Sequence, residues 1–239
     1  MGAVDAGEPI YGIILGSNKI NLDQLDTFIT KEVETDFGVA NFWVGEKEKV
    51  IVLQRHGKAN NIPPHMINHR ANIQGFQKLG VMAIISFTSV GSLKLELKPG
   101  DMLMPDDYIN MSQILSYYDT SIRHIVPGLD NELRKKIFDS IQKLPINIKF
   151  DGIYIQTHGP RLETKAEIQM LKNFGDVVGM TMANEATLAK ELELSYANIS
   201  VIDNYCNGLV GEPFSFQAFK ENQIKNSKNI AAIILNILE

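Results

Sequence analysis

The chain has 239 residues, of which 44% are hydrophobic and 21% are charged. This composition provides for a sizeable core and argues against wholesale disorder. Lysine plus arginine number 23 against 28 aspartates and glutamates, a net charge of −5 that argues against a protein that coats nucleic acid. No apolar run has the length of a membrane helix, and Met1–Pro9 lacks the pattern of a signal peptide. The single cysteine, Cys206, fits a reducing compartment, so we expect a cytoplasmic protein.

Short apolar runs alternate with longer amphipathic segments along the chain. Continuous apolar runs predict buried strands at Tyr11–Leu15, Val50–Leu53, Val81–Ile85, Gly152–Ile155 and Asn198–Ile202. Helical spacing predicts helices at Asn21–Glu34, Pro64–Leu79, Asn131–Gln142, Thr164–Phe174 and Asn184–Leu194, and a C-terminal helix within Gln217–Glu239 that packs on the sheet. Thr164 followed by Glu167 predicts a capping box. The alternation predicts one α/β domain over residues 1–239, with a central, mixed, mostly parallel β-sheet flanked by helices.

Polar groups follow the apolar runs, at the strand ends where open α/β sheets bind ligands. The segments are Gly16-Ser17-Asn18, Arg55-His56-Gly57, Thr88–Ser92, Thr157–Glu163, Met180-Thr181 and Asp203-Asn204-Tyr205. Each segment alone is ordinary turn chemistry, because these residue types favour turns. Together, an arginine, several hydroxyls and glycine-exposed amides predict a cradle for an oxyanion that needs no metal.

Several other site motifs are missing from the sequence. Neither a phosphate loop of nucleotide triphosphatases, nor a dinucleotide fingerprint, nor a nucleophile elbow occurs. His65 and His69 have the spacing of a metal pair, but the accompanying glutamate and a third ligand are missing, so we expect no metal site. We interpret Cys206 as a small buried apolar group.

Five segments resemble, in order and spacing, the methylthioadenosine phosphorylases and the trimeric purine nucleoside phosphorylases. They are Arg55–Asn72, Thr88–Leu93, Lys98–Asp101, Gly159–Glu167 and Gly179–Glu185, within a match from about Gly12 to Asp203. The resemblance implies a purine/uridine phosphorylase-like fold, a homotrimer or a dimer of trimers, and a role in purine salvage. The implied reaction is phosphate-dependent cleavage of the N-glycosidic bond of 6-oxopurine nucleosides such as inosine or guanosine, giving free base and ribose 1-phosphate. Phosphate is then a co-substrate, and no cofactor, nucleic acid or membrane is expected.

The resemblance also assigns roles to matching positions. Phosphate would be bound by Ser17, Arg55, His56, Thr88, the backbone of Ser89 and Thr181. The nucleoside would be bound by Leu162, Glu163, Met180, Asn204, Tyr205, Cys206 and, from a neighbouring subunit, His124. Asn204 and His56 are the expected catalytic residues. Because Arg55 would carry a pocket charge, we expect Arg55→Ala to weaken phosphate use without unfolding the protein.

The base is expected to be a 6-oxopurine, because an Asn204 amide can donate to O6 or N7 and a Glu163 carboxylate can accept from N1–H. A one-residue shift would instead place Asp203 at the base and favour an aminopurine. The 5′ group is open: His124 suits a hydroxyl, whereas Leu209 or Val210 suits a methylthio group.

Departures from the family pattern keep two alternatives open. Asn18, Asn60, Leu162 and Asn184 stand where the family usually has other residues. One alternative is a phosphorylase of 5′-methylthioadenosine or 5′-methylthioinosine. The other is a non-catalytic purine-binding protein.

Overall fold

The structure is a computed structural model that describes residues 10–18, 20–21, 27–45, 50–211 and 215–238. Within these residues, eleven strands join one sheet. The strands are β1 (Tyr11–Leu15), β2 (Phe28–Thr35), β3 (Gly38–Gly45), β4 (Val50–Gln54), β5 (Ala83–Ser92), β6 (Met102–Met104), β7 (Asp107–Asn110), β8 (Ile148–Phe150), β9 (Ile153–Gln156), β10 (Val177–Gly179) and β11 (Ser195–Tyr205).

Five α-helices accompany the sheet in the same described ranges. They are α1 (His69–Lys78), α2 (Asn131–Ile141), α3 (Lys165–Leu171), α4 (Met182–Glu191) and α5 (Phe216–Leu238), with a 3₁₀ turn at Pro64–Met66. The predicted capping box of α3 is confirmed: Thr164 accepts from the Glu167 amide, and the Glu167 carboxylate accepts from the Thr164 amide. None of the described helices is long and apolar enough to cross a membrane.

Strand β5 lies at the centre of the sheet. Its first half pairs in parallel with β1, nearly its whole length pairs in parallel with β11, and its last residues pair antiparallel with β10. The parallel pairs β1–β4, β9–β10 and β7–β9 extend the sheet, and the antiparallel strands β2 and β3 close one edge. The predicted mixed, mostly parallel sheet flanked by helices is therefore confirmed.

Apolar side chains cover both faces of this sheet. Ile13 and Ile14 are consecutive in β1, yet each is fully buried in a different apolar cluster. One cluster includes Phe76 of α1, and the other includes Ile233 of α5. Because consecutive side chains of a strand point to opposite faces, burial on both faces explains why the strands appear as continuous apolar runs.

The prediction of a helix at Asn21–Glu34 is wrong for the part of this segment that the structure describes as regular secondary structure. Residues 28–35 form strand β2, paired antiparallel with β3, while residues 22–26 lie outside the described ranges. The segment is rich in β-branched residues, which suit a pleated strand better than a helix. Gly38, with φ of +113°, closes the turn between the two strands.

A first prediction concerns the cap of α3, which directly follows the segment 157–163. Thr164→Ala removes the hydroxyl that accepts from the Glu167 amide, so the free energy of unfolding should fall by about 1 kcal/mol. Thr164→Ser keeps the hydroxyl and is the matched control. Urea unfolding at one protein concentration measures both variants, and equal stability of the two would contradict the prediction.

Candidate active site

A cavity of about 310 Å³ lies at the strand ends. It is bounded by the segments that follow β1, β4, β9 and β10 and by the ends of β5 and β11. Its predicted site residues are Ser17, Arg55, His56, Ser89, Leu162, Glu163, Met180, Thr181, Asn204 and Cys206. Most of the candidate residues, drawn from six separate parts of the sequence, therefore meet in one cavity.

Residues with hydroxyl groups line the cavity, and a helix begins at it. Thr181 occupies the N-cap position of α4, and its side chain makes no capping hydrogen bond. The N-terminal end of a helix favours anions, because its first amides lack intrahelical partners and its dipole is positive there. Ser17, which follows β1, and Ser89, in β5, line the same cavity. This arrangement suits a tetrahedral oxyanion.

Arg55 is tied to Glu185 in a buried ion pair. Arg55 Nε donates to Glu185 Oε1 at 2.6 Å and Nη2 donates to Oε2 at 3.0 Å, with both side chains at most 2% exposed. Ser86 and Tyr196 also donate to the Glu185 carboxylate, each at 2.8 Å. Burial pushes the pKa of Glu185 upward, but the Arg55 charge and these hydrogen bonds outweigh it and lower the pKa.

The ion pair corrects the expected role of the Arg55 side chain. Its bidentate face meets Glu185 rather than the cavity, Nη1 donates to the Phe87 carbonyl at 2.7 Å, and Nη2 donates to Ser86 Oγ at 2.6 Å. A guanidinium has five N–H groups, so these four hydrogen bonds leave one at Nη1. Nη1 lies beneath Gly16, where an added Cβ would be only 2.8 Å away. Arg55 can therefore offer an anion one N–H group, not the two parallel N–H groups of a bidentate contact.

The pair also overturns the expectation that Arg55→Ala would leave the fold intact. Arg55 is 2% exposed, so its removal would leave the Glu185 carboxylate buried without a counter-charge. Loss of phosphate use in that variant would then be inseparable from loss of stability.

His56 lies beside Arg55 with a defined ring orientation. Its Nδ1 is 2.7 Å from the Ile62 carbonyl oxygen. A carbonyl only accepts, so Nδ1 carries the hydrogen and Nε2 is the other ring nitrogen, free in the neutral form to accept. Burial, followed by the Arg55 charge, lowers the pKa of His56 against the opposing hydrogen bond to Ile62. The lowered pKa favours the neutral form of the ring.

The residues expected to read the base, Glu163 and Asn204, line the same cavity. Glu163 is 8% exposed, and its Oε1 accepts from Thr157 Oγ1 at 2.6 Å, which leaves Oε2 to accept from a ligand. Asn204 Nδ2 donates one hydrogen to the Tyr205 carbonyl at 2.8 Å, so one N–H remains. Met180 packs where a side chain at Gly159 would stand.

Asp203 faces away from this cavity. It is fully buried, its carboxylate accepts from Asn226 Nδ2 at 2.8 Å, and Ser89 Oγ donates to its other oxygen. Burial raises the pKa of Asp203 to about 6 despite these hydrogen bonds. Because Asn204 lines the cavity and Asp203 does not, a shift that puts Asp203 at the base does not fit the geometry.

Three of the expected site residues lie outside the cavity. Thr88 is 2% exposed, and its hydroxyl bonds to Asn198 and Ser200 on β11. The Tyr205 hydroxyl donates to the Leu95 carbonyl at 3.1 Å. His124 lies in an exposed segment and lines no part of its own chain's cavity.

The two histidines with metal-like spacing have different surroundings. His69 is 3% exposed, with Nδ1 3.8 Å from Glu185 Oε1, and burial lowers its pKa to about 4. The His65 ring lies 6.3 Å from the His158 ring. Within the described residues, no group of three or more histidines, cysteines or acidic residues is arranged to hold a metal ion.

Sequence reasoning missed the contribution of the C-terminal helix. Phe219 of α5 lines the cavity, and Gln223 Nε2 donates to Ser17 Oγ at 2.8 Å. The sequence carries no motif at these positions. The only available signal is that the first half of α5 is polar while its second half is apolar, which indicates that the two halves face different surroundings.

Comparisons with known proteins agree with this geometry. The model of the family described as "Phosphorylase superfamily" matches residues 10–239. The chain belongs to the phosphorylase superfamily. A probable 6-oxopurine nucleoside phosphorylase of Archaeoglobus fulgidus is 38% identical over 228 residues, 94% of each chain. A probable S-methyl-5′-thioinosine phosphorylase of Methanocaldococcus jannaschii is 43% identical over 187 residues, 74% of this chain and 72% of that protein.

Solved structures of the superfamily share the fold. The crystal structure of a methylthioadenosine phosphorylase from an Antarctic soil metagenomic library superposes with a TM-score of 0.88 and 28% identity, over 96% of this chain and 85% of that one. The α/β fold with its mixed central sheet is thus that of this superfamily.

A second prediction tests the buried ion pair. Glu185→Gln removes the counter-charge of Arg55 and should lower the free energy of unfolding by about 3–5 kcal/mol. Asp119→Asn is the matched control: Asp119 makes a similar bidentate pair with Arg70, but its side chain is 58% exposed. That variant should lose less than about 1 kcal/mol. Denaturant unfolding compares the two, and similar small losses would refute a stabilising role for the pair.

Proposed function

We propose that this protein catalyses the phosphorolysis of 6-oxopurine nucleosides, yielding the free base and ribose 1-phosphate. One observation carries the proposal: Glu163 and Asn204 line the same cavity as a cluster of anion-binding groups. An N–H donor and a carboxylate acceptor match O6 or N7 and N1–H of a 6-oxopurine. The Archaeoglobus fulgidus relative, similar over nearly the whole chain, supports the same substrate class.

Phosphate is bound in this cavity. The hydroxyls of Ser17 and Thr181, the Ser89 backbone and the remaining Nη1–H of Arg55 surround it, while the N-terminal end of α4 supplies a positive potential. Bound phosphate raises the pKa of His56, so that Nε2–H can donate to it. No base is required to activate the nucleophile, because phosphate is already anionic at pH 7.

The bond between C1′ and N9 breaks as a phosphate oxygen forms its bond to C1′. Positive charge develops on the sugar and negative charge on the leaving purine. The phosphate beneath C1′ stabilises the first charge, and the Asn204 amide at N7 or O6 stabilises the second. Glu163 keeps N1–H engaged through Oε2, because Thr157 occupies Oε1. Hydrogen phosphate gives up its proton as ribose 1-phosphate forms, and the purine anion takes up a proton from solvent at N9 or N7, so protons and charge balance.

A 5′-methylthioinosine substrate is the second candidate. Phe219 adds an aromatic wall to the cavity, and a methylthio group favours apolar surroundings. Leu209 packs against an apolar cluster, and Val210 lines a neighbouring cavity rather than this one. The Methanocaldococcus jannaschii relative supports this candidate. Comparing kcat/KM for inosine and methylthioinosine decides between them.

We also propose a homotrimer, or a dimer of trimers, in which His124 reaches the 5′ end of a neighbour's cavity. His124 lies in an exposed segment that also displays Ile114, Ile122 and Val126, which are 68%, 92% and 84% exposed. Grouped exposed apolar side chains mark contact surfaces. A cytoplasmic location fits Cys206, a free and buried thiol.

A third prediction concerns the base. Inosine should exceed adenosine by at least about tenfold in kcat/KM, with base release strictly dependent on phosphate. Asn204→Asp replaces the donor with an acceptor, so O6 would meet a carboxylate while the 6-amino group of adenosine would gain a partner. The variant should lose roughly 1–3 kcal/mol of transition-state stabilisation for inosine and retain adenosine activity.

Asn207→Asp is the matched control for that substitution. Asn207 lines the same cavity, but its side chain donates to the Glu163 backbone carbonyl at 3.2 Å. It should lower both activities together without changing their ratio. If Asn204→Asp also leaves the ratio unchanged, Asn204 does not read the base. Purine binding without phosphate-dependent turnover would favour a non-catalytic binding protein.

A fourth prediction tests the shared cavity by complementation. His124→Ala and Asn204→Ala should each be nearly inactive with inosine when purified alone. When the two chains are co-expressed, the His124→Ala chain keeps Asn204 and can receive His124 from its neighbour. Random mixing should restore about a quarter of the wild-type sites. Absence of recovery in a mixed trimer, verified by light scattering, would contradict the placement of His124.

A further inference from the structure

The C-terminal helix α5 contacts the anion-binding loop through one glutamine. Gln223 Nε2 donates to Ser17 Oγ at 2.8 Å, and Asn18 Nδ2 donates to the Gln223 backbone carbonyl at 3.3 Å. Gln223 and the loop are 206 residues apart in sequence. Two hydrogen bonds of opposite direction therefore join residues 17–18 to one residue of the helix.

The direction of this contact follows from its atoms. The Gln223 atom that meets Ser17 is the amide nitrogen, and an amide nitrogen can only donate. The Gln223 side chain also acts to lower the pKa of Asp203 against the opposing effect of burial, as a donor near a carboxylate does. Asn226, one turn further along α5, holds the other side of Asp203. Gln223 is therefore the donor and Ser17 the acceptor in the contact between α5 and the loop.

This direction decides what the Ser17 hydroxyl can do. A serine hydroxyl has one hydrogen to donate and two lone pairs that accept. Because Gln223 occupies a lone pair, the Ser17 hydrogen remains available to the cavity. Ser89 is the contrast: its hydroxyl donates to Asp203, so its hydrogen is already committed. Of these two serines, only Ser17 can donate its hydroxyl to an anion while the network is intact.

We propose that Gln223 is a positioning residue for the phosphate co-substrate: it orients the Ser17 hydroxyl as a donor towards phosphate. The inference rests on the proposed phosphorolysis. Gln223 does not line the cavity itself, so its effect passes through Ser17. It should influence the use of phosphate and not the use of the nucleoside.

Gln223→Met tests the proposal, because methionine has a similar size and helix preference but no hydrogen to donate. The KM for phosphate should rise about three- to tenfold, while the KM for inosine and kcat at saturating phosphate stay within about twofold. Gln223→Glu should raise the phosphate KM further, because a carboxylate accepts the Ser17 hydrogen and adds a negative charge. Gln217→Glu, on the exposed first turn of α5, is the charge-matched control and should leave both KM values unchanged.

A double-mutant cycle separates positioning from general support by the helix. In a Ser17→Ala background, Gln223→Met should add less than about twofold to the phosphate KM, because no hydroxyl remains to be oriented. A full, multiplicative effect there, or parallel increases in both KM values, would overturn the proposal. An unchanged phosphate KM in Gln223→Met alone would also overturn it. Wild-type base release that does not depend on phosphate would instead refute the proposed function.

Discussion

The buried ion pair between Arg55 and Glu185 is the constraint on which the site depends. It joins the end of β4 to the first turn of α4, while Ser86 of β5 and Tyr196 of β11 complete the carboxylate's hydrogen bonds. These contacts fix the helix α4 and the strands β4, β5 and β11 relative to one another. Because the two charges compensate each other, the cavity next to them is not strongly cationic. If an anion binds there as proposed, its selection rests on placed N–H and O–H donors more than on net charge.

The neighbouring residues Asp203 and Asn204 of β11 face different surroundings. Consecutive side chains of a strand point to opposite sides, so Asp203 turns towards α5 and Asn204 towards the cavity. The pairing register with β5 also shifts between Ile202 and Asn204, which re-aims this end of the strand. The Asp203 carboxylate, which would repel an anion in the cavity, is thus turned away from it and bonded to Ser89, while the Asn204 amide faces the cavity.

Much of this arrangement is predictable from the sequence, because β-strands buried on both faces leave continuous apolar runs and their ends meet at one edge. On this basis the sequence predicts that Ser17, His56, Thr181 and Asn204 lie together, and all four line one cavity. This reasoning failed for Phe28–Thr35, where helical spacing competed with β-branched residues that pair with β3 in a hairpin. It also could not assign the partner of Arg55, because Glu185 is 130 residues away and either a ligand or a carboxylate satisfies a guanidinium.

The loop after β1 is ordered by hydrogen bonds to a distant helix rather than by a run of glycines. A glycine-rich loop binds anions with its own backbone amides, which small residues leave accessible. This loop has one glycine, Gly16, where a side chain would collide with Arg55 Nη1. Asn18 is 5% exposed, and its side-chain amide donates to the backbone of α5. The loop therefore gains its order from side-chain hydrogen bonds to Gln223. The orientation of the Ser17 hydroxyl then depends on Gln223, a residue of the C-terminal helix. If phosphate binds as proposed, changes that loosen α5 should affect phosphate use more than base recognition.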